Sequence, residues 1–202
     1  MNFGEIQTEV YARGFSHLSS TSANQTRVKA WINSAYQGIC ALERWPFLEA
    51  TSTGAAPLTI SDLGAIKSVL ETGENKSLVG RNAAQLTKIY GDITLVGSPT
   101  FYYQDGATTI RTYPVGGTLS VKYWKVPADL SGDSDSLLIP AKYHQTVVDW
   151  AVWRAYVDND EFAVAKEMRD IVDRQVEAMR TDLLWNDHFT AKSIWPTASG
   201  DW

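Results

Sequence analysis

In residues 1–45 the apolar positions recur at steps of three and four, which is the spacing of one helical face. A first, short helix is predicted within residues 3–16. After a break at residues 21–24, a second helix of about 22 residues is predicted to end at Pro46. Ser22 and the glutamine three residues later have the spacing of a capping box. The apolar stripe of this second helix is formed by Val28, Trp31, Ile32, Ala35, Ile39, Leu42 and Trp45.

The middle of the chain changes to the pattern of β structure, with turn residues separating short runs of β-branched and aromatic residues. Asp105-Gly106 favours a type I′ hairpin turn, and residues 81–90 are predicted as a short helix. Residues 127–136 are predicted as a solvated linker, since the Glu that would complete a calcium loop is lacking. Strands are predicted at residues 66–71, 77–79, 100–104, 108–113 and 118–126.

Helical spacing returns after Pro140, which fits the first turn of a helix. From Tyr143 to Val157 the residues are apolar almost all round, which predicts a helix that is covered on most faces. The last helix carries one stripe opposite a charged face. This stripe is formed by Phe162, Ala165, Met168, Ile171, Val172, Val176, Met179 and Leu183.

The predicted fold class is mostly α with a β insertion (α+β). A four-helix body from residues 1–45 and 140–185 carries an inserted antiparallel β subdomain and an extended C-terminal tail. The corresponding domains are residues 1–46 with 137–185, residues 47–136, and residues 186–202. The helices within 23–45 and 160–184 are expected to pack together, since neither is stable alone in water. The residues expected to pack the body are Trp31, Ile32, Ile39, Trp45, Trp150, Trp153, Met168, Val172 and Met179.

Composition narrows the possible functions. The chain has 202 residues and a formal net charge of −5, from 18 basic and 23 acidic residues, so it lacks the basic excess for tight nonspecific nucleic-acid binding. Its single cysteine excludes an intrachain disulfide framework, and three histidines are few for a zinc centre. We therefore predict no metal and no cofactor. No signal peptide and no membrane-spanning segment are predicted either.

Few residues suggest catalysis. Cys40 lies on the apolar stripe of the second helix and is expected to be a small buried residue. His144 and Asp149 are five residues apart on a predicted helix and would not share one face. Glu43 and Glu49 could form the carboxylate pair of a cell-wall hydrolase, although solvated surface charges are the favoured interpretation. No catalytic residue is assigned.

Aromatic residues are unusually frequent, with 8 Trp, 9 Tyr and 6 Phe. Those of the predicted strands could form a stacking platform in a nucleic-acid-binding module. Because few basic residues lie near them, packing between neighbouring strands is the favoured interpretation. These residues are Tyr102, Tyr103, Tyr113, Tyr123 and Trp124.

The C-terminal segment is polar but carries large aromatic residues that it cannot bury by itself. Aromatic residues are depleted in disordered segments and enriched among interface anchors. We therefore predict that this tail docks on a partner. The predicted docking residues are Trp185, Phe189, Trp195 and Trp202.

Four short segments resemble the head–tail connector (adaptor or tail tubular) proteins of tailed bacteriophages. They are WINSAY at residues 31–36, LERWPF at 42–47, IPAKYH at 139–144 and WAVWRAY at 150–156. The last is followed by an acidic turn and a long amphipathic helix, as in the family. The resemblance covers most of residues 1–185 as architecture, with the β insert between the same helix pairs.

The resemblance implies a structural virion protein without catalytic activity. It implies a ring of twelve copies below the portal protein that extends the DNA channel and joins the head to a tail or nozzle protein. DNA would pass through the lumen without specific binding. In such a ring the tail, whose docking is predicted from its composition, would bind the portal or a neighbouring subunit. The protein would be made in the host cytoplasm and reside at the head–tail junction. A nucleic-acid-binding module and a tail-associated cell-wall hydrolase remain the alternatives.

Overall fold

The computed structural model of the protein describes residues 1–185. The chain divides into two compact units, one built from residues 1–47 together with the described residues from 129 onward, and one from residues 48–128. The first unit is helical and the second contains all the strands, which confirms the α+β fold class. The predicted extended tail at residues 186–202 lies outside the described residues.

Four α-helices of 8, 21, 15 and 19 residues form the predicted body, and a helix of eight residues lies in the β unit. An irregular connection, with a π-helical turn at Tyr11–Phe15 and a 3₁₀ turn at Ser16–Ser20, joins the first two helices. Another π-helical turn, Thr181–Trp185, follows the last helix. The helices are α1 (Phe3–Val10), α2 (Ser22–Leu42), α3 (Ala83–Tyr90), α4 (His144–Asp158) and α5 (Phe162–Arg180).

Helix α4 is the centre of the helical unit, because it packs against α1, α2 and α5. Helices α2 and α5, which were predicted to pack together, each make their main helix contact with α4 instead. Each of those helices has a single apolar stripe, whereas α4 is apolar on most faces and offers a surface to every neighbour. The buried apolar residues of α4 are Val147, Val148, Ala151, Val152 and Ala155.

The start of α2 differs by one residue from the predicted capping box. Thr21 is the N-cap, with extended backbone (φ −130°), and its hydroxyl accepts a hydrogen bond from the Asn24 N–H at 3.3 Å. The Gln25 side chain donates instead to the Ser19 carbonyl at 2.8 Å. The N-terminus of α2 is therefore stabilised by the Thr21 cap and by the Gln25 bond to the preceding turn.

Residues 129–139 form a segment that we call the strap. The N–H of Phe3 donates to the Asp135 carbonyl, and the N–H of Gly4 donates to the Asp133 carbonyl, both at 2.9 Å. These bonds satisfy N–H groups in the first turn of α1, which has no partners of its own for them. Six of residues 127–136 are exposed, as predicted for a solvated linker, but the segment is bound to the first turn of α1 and is not only a connection.

Side chains of helix α2 also form hydrogen bonds with the backbone of the strap. The Asn33 side chain donates to the Leu130 carbonyl at 2.9 Å and accepts from the Leu130 N–H at 2.8 Å. The Tyr36 hydroxyl accepts from the Leu138 N–H at 3.4 Å. The side chains of α2 thus satisfy the backbone of a segment almost a hundred residues away.

The β unit contains two four-stranded sheets, ordered β1-β8-β3-β4 and β2-β7-β6-β5. All neighbouring strands are antiparallel except β5 and β6, which are parallel. One core joins the two sheets, and α3 packs near β6 through Leu86, Tyr103 and Tyr113. The strands are β1 (Glu49–Ala55), β2 (Leu58–Thr59), β3 (Leu63–Glu71), β4 (Lys76–Ser77), β5 (Val79–Gly80), β6 (Phe101–Asp105), β7 (Thr109–Tyr113) and β8 (Thr118–Lys125).

Two features of this unit differ from the sequence prediction. Strands β1 and β2 were not predicted. The hairpin of β6 and β7 pairs Asp105 with Thr109, which leaves a three-residue loop in place of the two-residue type I′ turn. Gly106 has φ +70° in this loop, where glycine avoids the cost of a side chain.

Replacing Asn33 with alanine should lower the free energy of unfolding by about 1–3 kcal/mol, because it leaves the backbone of buried Leu130 without two hydrogen bonds. Urea denaturation measures this change. The control is Gln37→Ala, which removes an exposed bond to Asp129 and should cost less than about 1 kcal/mol. Equal losses in the two variants would contradict a strap that depends on Asn33.

The strap should also make the fold sensitive to acid. The N–H groups of Ser131 and Gly132 donate to the Asp135 carboxylate and lower its pKa. A carboxyl whose pKa is lower in the folded chain stabilises the fold above its unfolded pKa, and this contribution is lost as the pH falls through its folded pKa. The free energy of unfolding should therefore decrease below about pH 4.

Asp135→Asn should flatten this acid dependence when urea unfolding is compared at pH 5 and pH 3. The matched control is Asp170→Asn, which changes an exposed residue of α5 and should retain the acid dependence of the unaltered chain. An Asp135→Asn chain that loses stability with acid as steeply as the control would contradict this assignment.

Candidate functional site

The residues expected to pack the helical body fall into two groups. Those in the first group are buried, and those in the second are half-buried and reach the surface of the helical unit. The buried residues are Trp31, Ile32, Ile39, Trp45, Val172 and Met179. The half-buried residues are Trp150, Trp153 and Met168.

The buried indoles of Trp31 and Trp45 each donate a hydrogen bond near the end of a helix. The Trp31 Nε1–H donates to an Asp158 carboxylate oxygen at 2.5 Å, which ties α2 to the end of α4. The Trp45 Nε1–H donates to the Ile39 carbonyl at 2.7 Å, at the C-terminal end of α2, where carbonyls lack helical partners. The ring of Trp45 stacks on Phe47 with 5.8 Å between centroids. These residues serve the fold of the helical unit.

The half-buried indoles of α4 lie side by side. The Trp150 and Trp153 rings meet edge to face with 6.2 Å between centroids. A side chain at Gly38 would place a Cβ 3.1 Å from the Trp150 ring, so glycine allows the close contact of α2 with α4. The guanidinium groups of Arg154 and Arg169 lie 5.4 and 4.9 Å from the Trp153 ring centroid. This part of the surface is cationic and aromatic.

The predicted docking residues of the tail lie at or beyond the end of the described chain. Trp185 is the last residue of the π-helical turn after α5, and its side-chain position is not described. Phe189, Trp195 and Trp202 lie outside the described residues. Their docking role stays a prediction.

A buried carboxylate joins three parts of the helical unit. Asp149 of α4 accepts hydrogen bonds from Gln145 at 3.0 Å and from Gln175 of α5 at 2.7 Å. The Arg13 guanidinium, from the π-helical turn after α1, lies 3.3 Å from the same carboxylate. A buried charge needs such partners, and here they hold the turn and α5 against α4.

His144 is also buried but bonds elsewhere. Its Nε2 lies 2.8 Å from the Ile139 carbonyl oxygen, and its Nδ1 lies 2.8 Å from the N-terminal amine of Met1. Burial lowers the pKa of His144. Both ring nitrogens thus have partners within the fold, and neither partner is Asp149. The two residues do not form a catalytic dyad.

Cys40 lies buried on α2, as its place in the apolar stripe predicted. Burial raises the pKa of its thiol to about 12. The thiolate is the nucleophilic form of cysteine, so this thiol stays unreactive near neutral pH.

The two glutamates of the hydrolase alternative each have a cationic partner. Glu43, which follows α2, pairs with Arg180 of α5 at 3.2 Å. Glu49 of β1 pairs with Lys67 of β3. Such half-exposed ion pairs are typical of protein surfaces.

The aromatic residues of the strands do not lie on one shared face. Tyr103 and Tyr113 are buried in the cluster around α3, and Tyr90 of α3 packs on Tyr113 with 4.7 Å between centroids. Tyr123 is buried in the core between the sheets, where its hydroxyl donates to Asp62. Trp124 follows Tyr123 on β8 and is half-buried. The arrangement is that of strand packing rather than of a stacking platform.

Sequence reasoning missed an exposed apolar surface on the β unit, at the end of α3 and in the loop that follows it. Val96 is 79% exposed and Ile89 is 63% exposed, and their sequence neighbours Leu95 and Tyr90 are exposed as well. Exposed apolar groups of this kind are typical of protein–protein contact. In the sequence these apolar residues lie in a short segment, residues 89–97, that also contains two glycines and an aspartate, so turn-forming residues accompany them.

The described part of the chain has little that suggests small-molecule chemistry. An open cleft of about 520 Å³ in the β unit is lined mainly by apolar side chains, with the Asp105–Arg111 ion pair among them. No group of three or more His, Cys, Asp or Glu side chains within residues 1–185 could hold a metal ion. None of the described helices is both long and apolar enough to span a membrane.

Comparison with known proteins agrees with the resemblance found in the sequence. The model of the family described as SU10 adaptor protein matches residues 1–188 of the chain. A comparison with curated proteins found no match. The match covers both compact units and thus nearly the whole chain. The protein therefore belongs to the SU10 adaptor protein family, a family of phage head–tail adaptors, and is a structural component of the virion.

Proposed function

We propose that the protein forms a ring of twelve copies directly below the portal protein of a phage head. The ring extends the DNA channel towards the tail and joins the head to a tail or nozzle protein. The observation that carries this proposal is the family match over residues 1–188, since a head–tail adaptor must contact both of its neighbours.

The charge of the chain supports a channel through which DNA slides. Each copy has a formal net charge of −5, so twelve copies would carry about −60. A wall with excess negative charge repels the phosphate backbone and provides no counterion-release energy for tight binding. DNA would pass through such a ring without specific contacts.

The surfaces of the two units support a role in protein–protein contact. The apolar side chains near Val96 are exposed, and the half-buried indole of Trp153 reaches the surface between two arginine side chains. Aromatic residues and arginine are the residue types enriched at interfaces. The buried polar groups Asp149, His144 and Cys40, in contrast, have partners or environments that serve the fold.

The tail supplies the proposed contact with the portal or with a neighbouring copy. Its docking residues are Trp185, Phe189, Trp195 and Trp202. Burying a large apolar side chain contributes roughly 1.5–3 kcal/mol, so a few such residues would support a stable contact. A segment that wraps a partner can join two rings without a large rigid interface.

Reconstruction of the phage particle without imposed symmetry tests the proposed function. The expected result is density for twelve copies between the portal and the tail or nozzle protein, with the DNA channel running through their centre. Density for this chain at another site in the particle, or no ring at the portal vertex, would overturn the proposal.

We expect the isolated chain to be a monomer or to associate weakly, and to form the ring only on a portal template. Each copy has a formal net charge of −5, and electrostatic repulsion between copies opposes assembly without a template. Analytical ultracentrifugation with and without purified portal rings measures this. A stable symmetric ring formed by the dilute chain alone would contradict the need for a template.

Deleting residues 186–202 should leave the described units folded and abolish incorporation into particles, because three of the four predicted docking residues are lost. Circular dichroism and thermal unfolding report the fold, and quantitative gel analysis of purified particles reports the number of copies. A matched variant with Phe189, Trp195 and Trp202 replaced by serine keeps the length of the segment. Normal incorporation of both altered chains would contradict the docking role.

A further inference from the structure

Strand β1 lies at the edge of its sheet. It pairs with β8 over all seven of its residues without a bulge, and no described strand pairs with its other side. Residues 50–55 contain no charged residue and no proline. Natural edge strands usually carry lysine, proline or a bulge that prevents pairing with another chain. The edge of β1 lacks all of these over residues 50–55.

The hydrogen-bond pattern identifies the free backbone groups of β1. The Ala56 N–H donates to the Gly117 carbonyl just beyond the paired residues, and hydrogen-bonded positions alternate along an antiparallel pair. The even-numbered residues of β1 therefore bond to β8. The odd-numbered residues direct their N–H and C=O groups away from β8. Those residues are Glu49, Thr51, Thr53 and Ala55, and all four are exposed.

The opposite edge of the same sheet is protected. Strand β3 has two irregularities in its register, between Leu63 and Ala65 and between Ile66 and Ser68, and it carries Lys67. The outermost strand there, β4, has only two residues, of which one is Lys76. Bulges, lysines and short strands are the features that block edge pairing. The sheet thus has one closed edge and one open edge.

We propose that the free edge of β1 binds residues 189–195 of a neighbouring copy as an added β-strand. This segment, Phe-Thr-Ala-Lys-Ser-Ile-Trp, is rich in strand-forming residue types, and antiparallel pairing of Lys192 with Thr51 would align residues 189–194 with residues 49–54. Pro196 follows it and would end the pairing, since proline cannot donate to a ladder. The backbone of the added strand provides affinity, and alternate side chains provide specificity.

The side chains of the two strands match in size and charge. Alternation places Phe189, Ala191 and Trp195 on one face of the added strand and Lys192 on the other. The inner face of β1 has small, half-buried residues such as Ala50, so large rings can cover this rim of the core. The single charge of β1 is negative, at Glu49, which also pairs with Lys67, and that of the added strand is positive.

The neighbouring copy is the occupant because a ring needs a contact between two different surfaces of successive copies. A tail that binds the β1 edge of its own chain adds no such contact. A tail that binds the next copy repeats the same pairing around the ring. This inference rests on the proposed ring and identifies the surface that receives the tail.

A cysteine pair tests the contact in the full chain assembled on portal rings. Thr51→Cys and Lys192→Cys are introduced together, on the outer face of each strand, and the complex is oxidised under mild conditions. Cross-strand pairs lie within the distance that a disulfide spans. The expected result is a ladder of covalent oligomers on a non-reducing gel. Cys40 stays protonated in the core and does not compete.

The matched control combines Lys192→Cys with Ser68→Cys. Ser68 is exposed on β3, two strands away from the free edge, and should give no ladder. A complete ring without cross-links, or cross-linked monomers only, would overturn the inference and leave the proposed ring intact. Absence of a ring at the portal would instead overturn the proposed function, and the inference with it.

A proline substitution tests the backbone contact independently. Thr53→Pro removes an N–H that points away from β8, so the sheet keeps its own hydrogen bonds. Incorporation into portal-bound rings should fall at least about tenfold, the effect of losing one or two hydrogen bonds and adding a steric clash. Thr53→Val keeps the N–H and should assemble normally. Equal assembly of folded Thr53→Pro and Thr53→Val chains would overturn the inference.

Discussion

Burial of helix α4 is the constraint on which the helical unit depends. Its apolar residues cover most of its surface, and a helix of this kind is stable only when neighbours cover it. The chain provides these neighbours from both ends of the sequence, with α1 and α2 before the β unit and α5 after α4. The β unit is therefore an insertion that the helical unit tolerates, because the helices on both sides of it converge on α4.

The packing of segments around α4 determines which polar groups of the helical unit need hydrogen-bond partners. A chain that returns from the β unit must pass α1 and α2 before α4 begins, and its backbone groups need partners where they become buried. Asn33 provides them for Leu130, and the first turn of α1 provides N–H donors for the strap. Asp149 joins α4 to α5 through Gln175 in the same way. The polar contacts thus determine where the segments around α4 lie.

The sequence predicted most of the helices because their signal is local. The stripes of α2 and α5 and the apolar surface of α4 are visible in the spacing of residues. Strand β1 was not visible, because its inner residues lie at a sheet edge, are only half-buried and need not be large or apolar. The contacts of the strap were not predicted, since its partners, such as Asn33, are distant in sequence. The predicted docking residues beyond Trp185 followed from composition alone.

An adaptor that assembles only on its portal, as proposed above, must stay separate before assembly and bind firmly afterwards. A free sheet edge suits this requirement better than a large apolar face. Its backbone groups are satisfied by water in the separate chain, so the exposed edge costs little solubility. Pairing also depends on a strand of matching length and pattern, so it excludes most other chains. Under the proposed pairing, the edge of β1 and the tail of the next copy would provide assembly through backbone hydrogen bonds rather than through a large apolar face.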